Sequence, residues 1–217
     1  MKLSCSLFLF TCFFAISLSA QVSLGVKVFY NNGWQQYDES LLILRENVYI
    51  HNVGVSATVE YAIDQHLSLV VEPGFVQRGA ACFPGFVLPI GGSEVTFVGN
   101  YIEMPVLLQG NLNAWQNRLQ FFLQAGAGYS YLASAYRKFD FQDPEADAQR
   151  ERVNFDQEPN INRLDFGYYG GGGIGVKAGP GYLTATCRYY HGMPNVDDFQ
   201  VSKNRAISYA LGYRVAL

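Results

Sequence analysis

The chain has 217 residues, with 15 basic and 18 acidic side chains and a formal charge of −3. Charged residues make up 15% of it, well below the roughly 25% usual for soluble domains. This balance excludes the concentrated basic face that nucleic-acid binding requires.

Residues 1–20 read as a secretory signal peptide. Met1 and Lys2 give a small positive end, and residues 7–18 are apolar and rich in Leu and Phe. Ser17, Ser19 and Ala20 place small residues before Gln21. The apolar stretch is too short to serve as a spanning helix. Cleavage removes one base, Lys2, and two of the four cysteines, leaving a single expected domain at 21–217 with a formal charge of −4. The two remaining cysteines, Cys82 and Cys187, either pair in an oxidising compartment or stay apart. Cys82 falls in an expected loop and Cys187 in mid-strand, which favours independent thiols.

After Gln21 no stretch approaches the 18 or so continuous apolar residues of a spanning helix. Alternation replaces it, in eight segments at about 22–30, 52–63, 67–78, 95–110, 119–134, 164–178, 181–191 and 205–217. The fifth segment is the clearest. Its odd positions read Leu119, Phe121, Leu123, Ala125, Ala127, Tyr129 and Tyr131. Its even positions read Gln120, Phe122, Gln124, Gly126, Gly128, Ser130 and Leu132. A period of two marks a strand with one apolar face and one polar or small face.

The connections alternate as well. Asp64, Gln65 and His66, the segment 111–117, and Gly179, Pro180 and Gly181 make short links rich in turn residues. The others, at about 31–51, 79–94, 135–163 and 192–204, are long. An even number of strands with short turns on one rim and long loops on the other is the plan of an outer-membrane barrel. Both termini then lie on the periplasmic side. The expected fold is therefore all-β, an eight-stranded antiparallel up-and-down transmembrane barrel exported to the bacterial outer membrane.

Writing each strand's apolar face outward directs Lys27, Glu60, Glu72, Arg78, Glu103, Lys177, Arg188 and Arg214 inward. A charge facing lipid at the bilayer midplane costs roughly 2–4 kcal/mol, so the alternation has an energetic cause. Eight strands leave an interior just wide enough for side chains to fill. The expectation is a lumen closed by ion pairs. The competing reading, a secreted barrel of lipocalin type with its polar face outside, calls for many Lys and Glu on that face. It carries mainly Gly, Ser, Thr, Gln and Tyr instead. Tyr30, Tyr61, Tyr101, Tyr129, Tyr131, Phe166, Tyr168, Tyr189 and Tyr190 suit aromatic girdles at the two interfaces.

The run Tyr101, Ile102, Glu103, Met104, Pro105, Val106, Leu107, Leu108 resembles the Tyr-x-Glu-x-Pro-x-x-Leu strand of PorT-like outer-membrane β-barrels of Bacteroidetes-type bacteria. The remaining likeness is architecture shared with OmpX-like and OmpA-like barrels. The resemblance implies an outer-membrane location and, through one branch of the family, a part in protein secretion. On physical grounds Glu103 is an inward salt-bridge partner, and Pro105, which lacks a ladder donor, marks a bulge or bend. Leu217 departs from the terminal aromatic of many barrels.

Chemical motifs are weak. Gly170, Gly172 and Gly175 satisfy the dinucleotide spacing, but no helix follows, and strand glycines relieve curvature or admit a large neighbour. His51, His66 and His191 are isolated, whereas a metal site needs three or four converging ligands. Neither a metal nor any other cofactor is expected. Ser134, His191, Asp197 and Asp198 are the only catalytic grouping near the outer rim, and nothing fixes them together. The densely charged loop 135–163 reads as a solvated surface loop. Leu41, Leu42, Ile43 and Leu44, with Phe83 and Phe86, are unusually apolar for loops and are candidate partner contacts.

The functional expectation is a monomeric, non-enzymatic barrel in contact with outer-membrane lipid. Its role is in the envelope, as a secretion accessory or in surface binding, with other envelope or secretion proteins as partners. A narrow channel or small-solute transporter is the alternative, and a barrel hydrolase ranks third.

Overall fold

The computed structural model describes residues 22–37, 49–82, 94–140, 149–196 and 202–217. Its strands are β1 (Val22–Tyr37), β2 (Ile50–Ala62), β3 (Leu67–Val71), β4 (Gly74–Cys82) and β5 (Glu94–Ala114). They continue with β6 (Leu119–Asp140), β7 (Gln149–Arg152), β8 (Leu164–Ala178), β9 (Gly181–Gly192) and β10 (Ser202–Ala216). Neighbours pair antiparallel, and the ring closes where β1 meets β10, in a register running from Ser23 opposite Ala216 to Tyr37 opposite Ser202. β3 and β4 both lie between β2 and β5 and act as two halves of one barrel strand. β7 is a spur paired with the end of β6. Eight strands therefore make the wall.

Two features of the wall differ from the sequence reading. The break in the ladder falls at Glu72 and Pro73, between β3 and β4, and not at Pro105. Pro105 stays inside the β5 ladder opposite Gly128, with its side chain buried. The broken segment remains tied to both neighbours: Glu72 N donates to Pro105 O at 3.1 Å, and Ala57 N donates to Pro73 O at 2.9 Å. The bulge lies instead between β5 and β6, where consecutive Asn100 and Tyr101 pair with Ser134 and Leu132, leaving Ala133 as the extra residue. Val98 shares the parity of the outward-facing Ile102 and Val106, but it lies beyond that bulge and is buried with Ile50, with Tyr136 packed against the pair.

β5 and β6 are 21 and 22 residues long, about twice the ~9–11 residues that a crossing needs. The wall therefore rises well past the bilayer on the long-loop side. Apolar side chains stand exposed on its outside, among them Val26, Val28, Val53, Ile102, Leu108, Leu123, Leu183 and Leu211. Charged and amide side chains such as Glu72, Arg78, Gln109 and Gln124 are buried inside. Soluble monomers expose contiguous apolar patches of only a few hundred Å², so this surface faces lipid. Among the described residues no helix is long and apolar enough to cross a membrane; the crossing is made by strands.

Glycine admits rings into the lumen at two close approaches. A Cβ on Gly54 would lie 2.2 Å from the Phe29 ring opposite it, and a Cβ on Gly173 would lie 2.6 Å from the Phe122 ring. The run of glycines in β8 thus serves packing, and it lies inside a strand where no helix N-terminus exists to hold a phosphate.

The turn joining β5 to β6 is strained. Trp115, Gln116 and Asn117 adopt φ values of 48°, 55° and 63°, the left-handed region that costs an L-residue about 1–2 kcal/mol. Arg118 N donating to Trp115 O at 3.1 Å, and Tyr182 OH donating to Asn117 O at 2.7 Å, hold it in place. Gln116→Gly is expected to stabilise the barrel by about 1 kcal/mol, since relief of strain outweighs the added chain entropy. A urea midpoint that falls in lipid vesicles would count against this account.

Candidate functional site

Strand alternation sends one residue in two toward the barrel axis, and the charged ones meet there in tiers. The tier nearest the short turns pairs Glu60 with Arg214, whose guanidinium also donates to Gln120 Oε1. Gln109 Nε2 donates to Glu60 Oε1 at 3.2 Å and to Asn111 Oδ1 at 2.7 Å. In the middle tier Glu72 takes Lys27 on one oxygen and Arg188 on the other, the latter at 2.7 Å. Arg188 reaches onward to Gln124 Oε1 at 2.8 Å. The third tier is Arg78 on Glu103. Arg78 Nη1 donates to Ser130 Oγ at 3.0 Å and Nη2 to Tyr169 OH at 3.2 Å, while Tyr169 OH donates to Glu103 at 3.0 Å. The Tyr190 ring covers the Arg78 guanidinium at 4.0 Å.

The voids between tiers are water-sized. One of about 30 Å³ is lined by Glu72, Arg78, Glu103 and Tyr169, and one of about 10 Å³ lies between Glu60, Arg214 and Phe122. Such volumes hold a water or two and no larger solute. Side chains fill the lumen. On the short-turn side it opens into a vestibule of about 250 Å³ lined by Glu60, Asp64, Asn111, Gln120 and Arg214.

The opposite mouth is capped. Val153 and Ile161 are buried with Tyr101, Leu132 and Ala135. Val153 N donates to Ala135 O at 3.0 Å, Asn162 N to Val196 O at 3.0 Å, and Val196 N to Ser202 O at 2.8 Å. The described part of the charged loop therefore folds down over the barrel. This corrects the reading of 135–163 as a solvated loop, because two apolar side chains among its charges have an apolar surface to cover. Beneath the cap, Asn204 Nδ2 donates to Asp165 Oδ2 at 2.9 Å and to Tyr101 OH at 3.3 Å.

Lys177 departs from the lumen set. It has the inward parity of β8, but it stands exposed one residue before that strand ends, below the ion pairs. Tyr101 and Tyr190, assigned to the girdles, are buried in the lumen. Asp165, Asn204 and Arg205 were missed. Asp165 shares the parity of Lys177 and was legible from it, whereas Asn204 and Arg205 lie at the edge of the last expected strand. Leu41, Leu42, Leu44, Phe83 and Phe86 lie outside the described residues, as do Asp197 and Asp198. Cys82 is the last residue of β4, not a loop residue, and Cys187 is an exposed free thiol. His51 Nδ1 is 2.7 Å from Asn32 Oδ1, His66 is in the turn after β2, and His191 stands beside Tyr189. Ser134 Oγ accepts from Asn100 Nδ2 at 2.9 Å. Among the described residues no three His, Cys, Asp or Glu side chains group to hold a metal.

A closed eight-stranded wall, apolar outside and filled with ion pairs inside, defines a small outer-membrane β-barrel. The chain belongs to the outer membrane protein β-barrel domain family, whose model matches residues 14–198, and its place is the bacterial outer membrane. Among solved structures it is similar to the outer membrane protein OprG of Pseudomonas aeruginosa. The TM-score is 0.52 at 10% identity, covering 91% of this chain and 95% of that one. It is also similar to Ail, the attachment invasion locus protein of Yersinia pestis, in complex with the heparin analogue sucrose octasulfate. That match has 12% identity and a TM-score of 0.44, over 89% of this chain and 99% of the other. Neisserial surface protein A gives 11% identity and a TM-score of 0.45, over 88% and 96%. At these identities the likeness is one of fold. No curated protein matches the sequence.

Proposed function

We propose that this protein is a non-enzymatic, monomeric barrel whose work is done at its outer rim, as an envelope or secretion accessory. The observation that carries the reading is the filled lumen under a capped mouth. A barrel that passes nothing through its centre has its rims and loops left to act with. The long β5–β6 pair raises that rim above the bilayer. The run from Tyr101 to Leu108 supports placing the chain beside the PorT-like barrels of Bacteroidetes-type bacteria. The apolar residues Leu41, Leu42, Leu44, Phe83 and Phe86, in the segments joining β1 to β2 and β4 to β5, are the proposed contact surface.

The test is capture of a tagged chain from mild-detergent outer membranes after reversible cross-linking. Recovery with envelope or secretion proteins is expected, and Leu42→Asp with Phe86→Asp is expected to abolish it while the barrel stays heat-modifiable. Recovery of the folded chain alone would remove the accessory role.

A further inference from the structure

Arg163 comes directly before β8, and its guanidinium is held in place. It lies 4.7 Å from the Tyr131 ring centroid and 4.6 Å from that of Phe155, and its Nε donates to Leu132 O at 3.3 Å. The backbone is fixed too, since Leu132 N donates to Arg163 O at 2.7 Å. Tyr131 is the last residue of the exposed row Phe121, Leu123, Ala125, Ala127, Tyr129, Tyr131. That row is about ten residues long, ~33 Å of strand. At a tilt of about 40° it rises roughly 25 Å, the height of a barrel's apolar band. Tyr131 therefore marks the outer edge of the hydrocarbon, and Arg163 sits at the level of the headgroups.

Beside it opens a surface cavity of about 480 Å³, lined by Arg152, Asn154, Phe155, Asp156 and Arg163. Neither Arg152 nor Arg163 has a carboxylate partner among the described residues. Arg78, Arg188 and Arg214 in the lumen, by contrast, are each paired with a carboxylate. A guanidinium backed by two rings and anchored through Nε keeps its Nη donors pointing outward, in the fork that matches two oxygens of a phosphate. The exposed Arg152 adds a second positive charge, and Asn154 an amide donor.

We propose that this pocket binds a phosphate of the phosphorylated glycolipid in the outer leaflet, with Arg163 as the fork and Arg152 as its second charge. The membrane supplies the anion at that depth, and Tyr131 and Phe155 present apolar surface to the adjoining acyl chains. Asp156, on the same rim, weakens the site and limits it to a single phosphate group.

The test uses the full chain folded in phosphatidylcholine nanodiscs doped with diphosphoryl lipid A, with retained lipid A counted by native mass spectrometry. Retention above phosphatidylcholine is expected. Arg163→Gln and Arg152→Gln should each weaken it about tenfold. Arg163→Lys should restore only part, and Asp156→Asn should tighten binding. Among the described residues the Arg152 side chain makes no hydrogen bond, so its variant keeps the fold even if Arg163→Gln disturbs it; heat-modifiable migration checks both. Arg118→Gln, at the short turn on the opposite rim, should change nothing. Equal retention by Arg152→Gln and wild type, or equal binding of dephosphorylated lipid A, would overturn the proposal. Competition by millimolar inorganic phosphate would overturn the lipid source in favour of a free-anion site.

Discussion

Replacing Glu103 with Ala is expected to destabilise the folded barrel by about 3–5 kcal/mol, the cost of leaving a buried cation without its counter-charge. Arg78 is 2% exposed. Its other contacts are the neutral Ser130 hydroxyl, the Tyr169 hydroxyl and the Tyr101 and Tyr190 rings. These satisfy donors without cancelling charge, and Tyr169 OH loses its own acceptor when Glu103 goes. The double variant Arg78→Met with Glu103→Met removes both charges and is expected to recover most of the loss. Urea unfolding in lipid vesicles, followed by tryptophan fluorescence, reads both. A double variant as unstable as Glu103→Ala would show that shape and not charge is responsible. The Arg137–Glu158 pair outside the lumen is the internal control. Its side chains are 31% and 33% exposed, so water screens them, and Glu158→Ala should cost under about 1 kcal/mol.

The face of each strand was legible because lipid enforces it. A charge on the outside is so unfavourable that alternation alone directs Glu60, Glu72, Arg78 and Glu103 inward. Depth and pairing are different quantities. Lys177 has the right parity and the wrong height, since period two says nothing about how far along the axis a residue lies. The pairing of Glu72 with both Lys27 and Arg188 depends on the stagger between strands distant in sequence, which turns and bulges set. The bulge at Ala133 is one extra residue in an otherwise regular run, and nothing in its neighbours announces it. Tyrosine misled in a different way, because an amphipathic ring suits both a membrane interface and a polar lumen. Parity should have decided for Tyr101, which shares a face with Glu103 and Pro105. Three positions of the motif that carries the family resemblance form one buried stripe, since Tyr101 and Glu103 flank Arg78 and Pro105 is buried on the same face, while its Leu108 stands on the lipid side. The cap was hidden because Val153 and Ile161 are two apolar residues in a segment whose charges dominate any reading of composition.

Glu72 is where stability and closure depend on one side chain. Its two oxygens hold cations from two separate strands of the wall, Lys27 on β1 and Arg188 on β9, which have β10 between them. Glu72→Ala therefore leaves two cations facing one vacancy, and the expected loss lies at the upper end of the ~3–5 kcal/mol range for an uncompensated buried charge. The chemistry of the lumen changes as well. The wild-type middle tier is closed by ion pairs around water-sized voids, so planar bilayers should show no steady conductance. In Glu72→Ala the vacated space is ringed by unpaired positive charge, which attracts water and small anions. Small anion-selective steps are the expected result. The triple variant Lys27→Met, Glu72→Gln, Arg188→Met removes the charges together and should be both stable and closed, since methionine refills the space with flexible apolar bulk. Steady conductance through the wild-type barrel would mean that the tiers separate in the membrane, and the function would then be that of a narrow channel. A silent but destabilised Glu72→Ala would mean that closure resides in the cap formed by Val153 and Ile161, with the ion pairs serving stability alone.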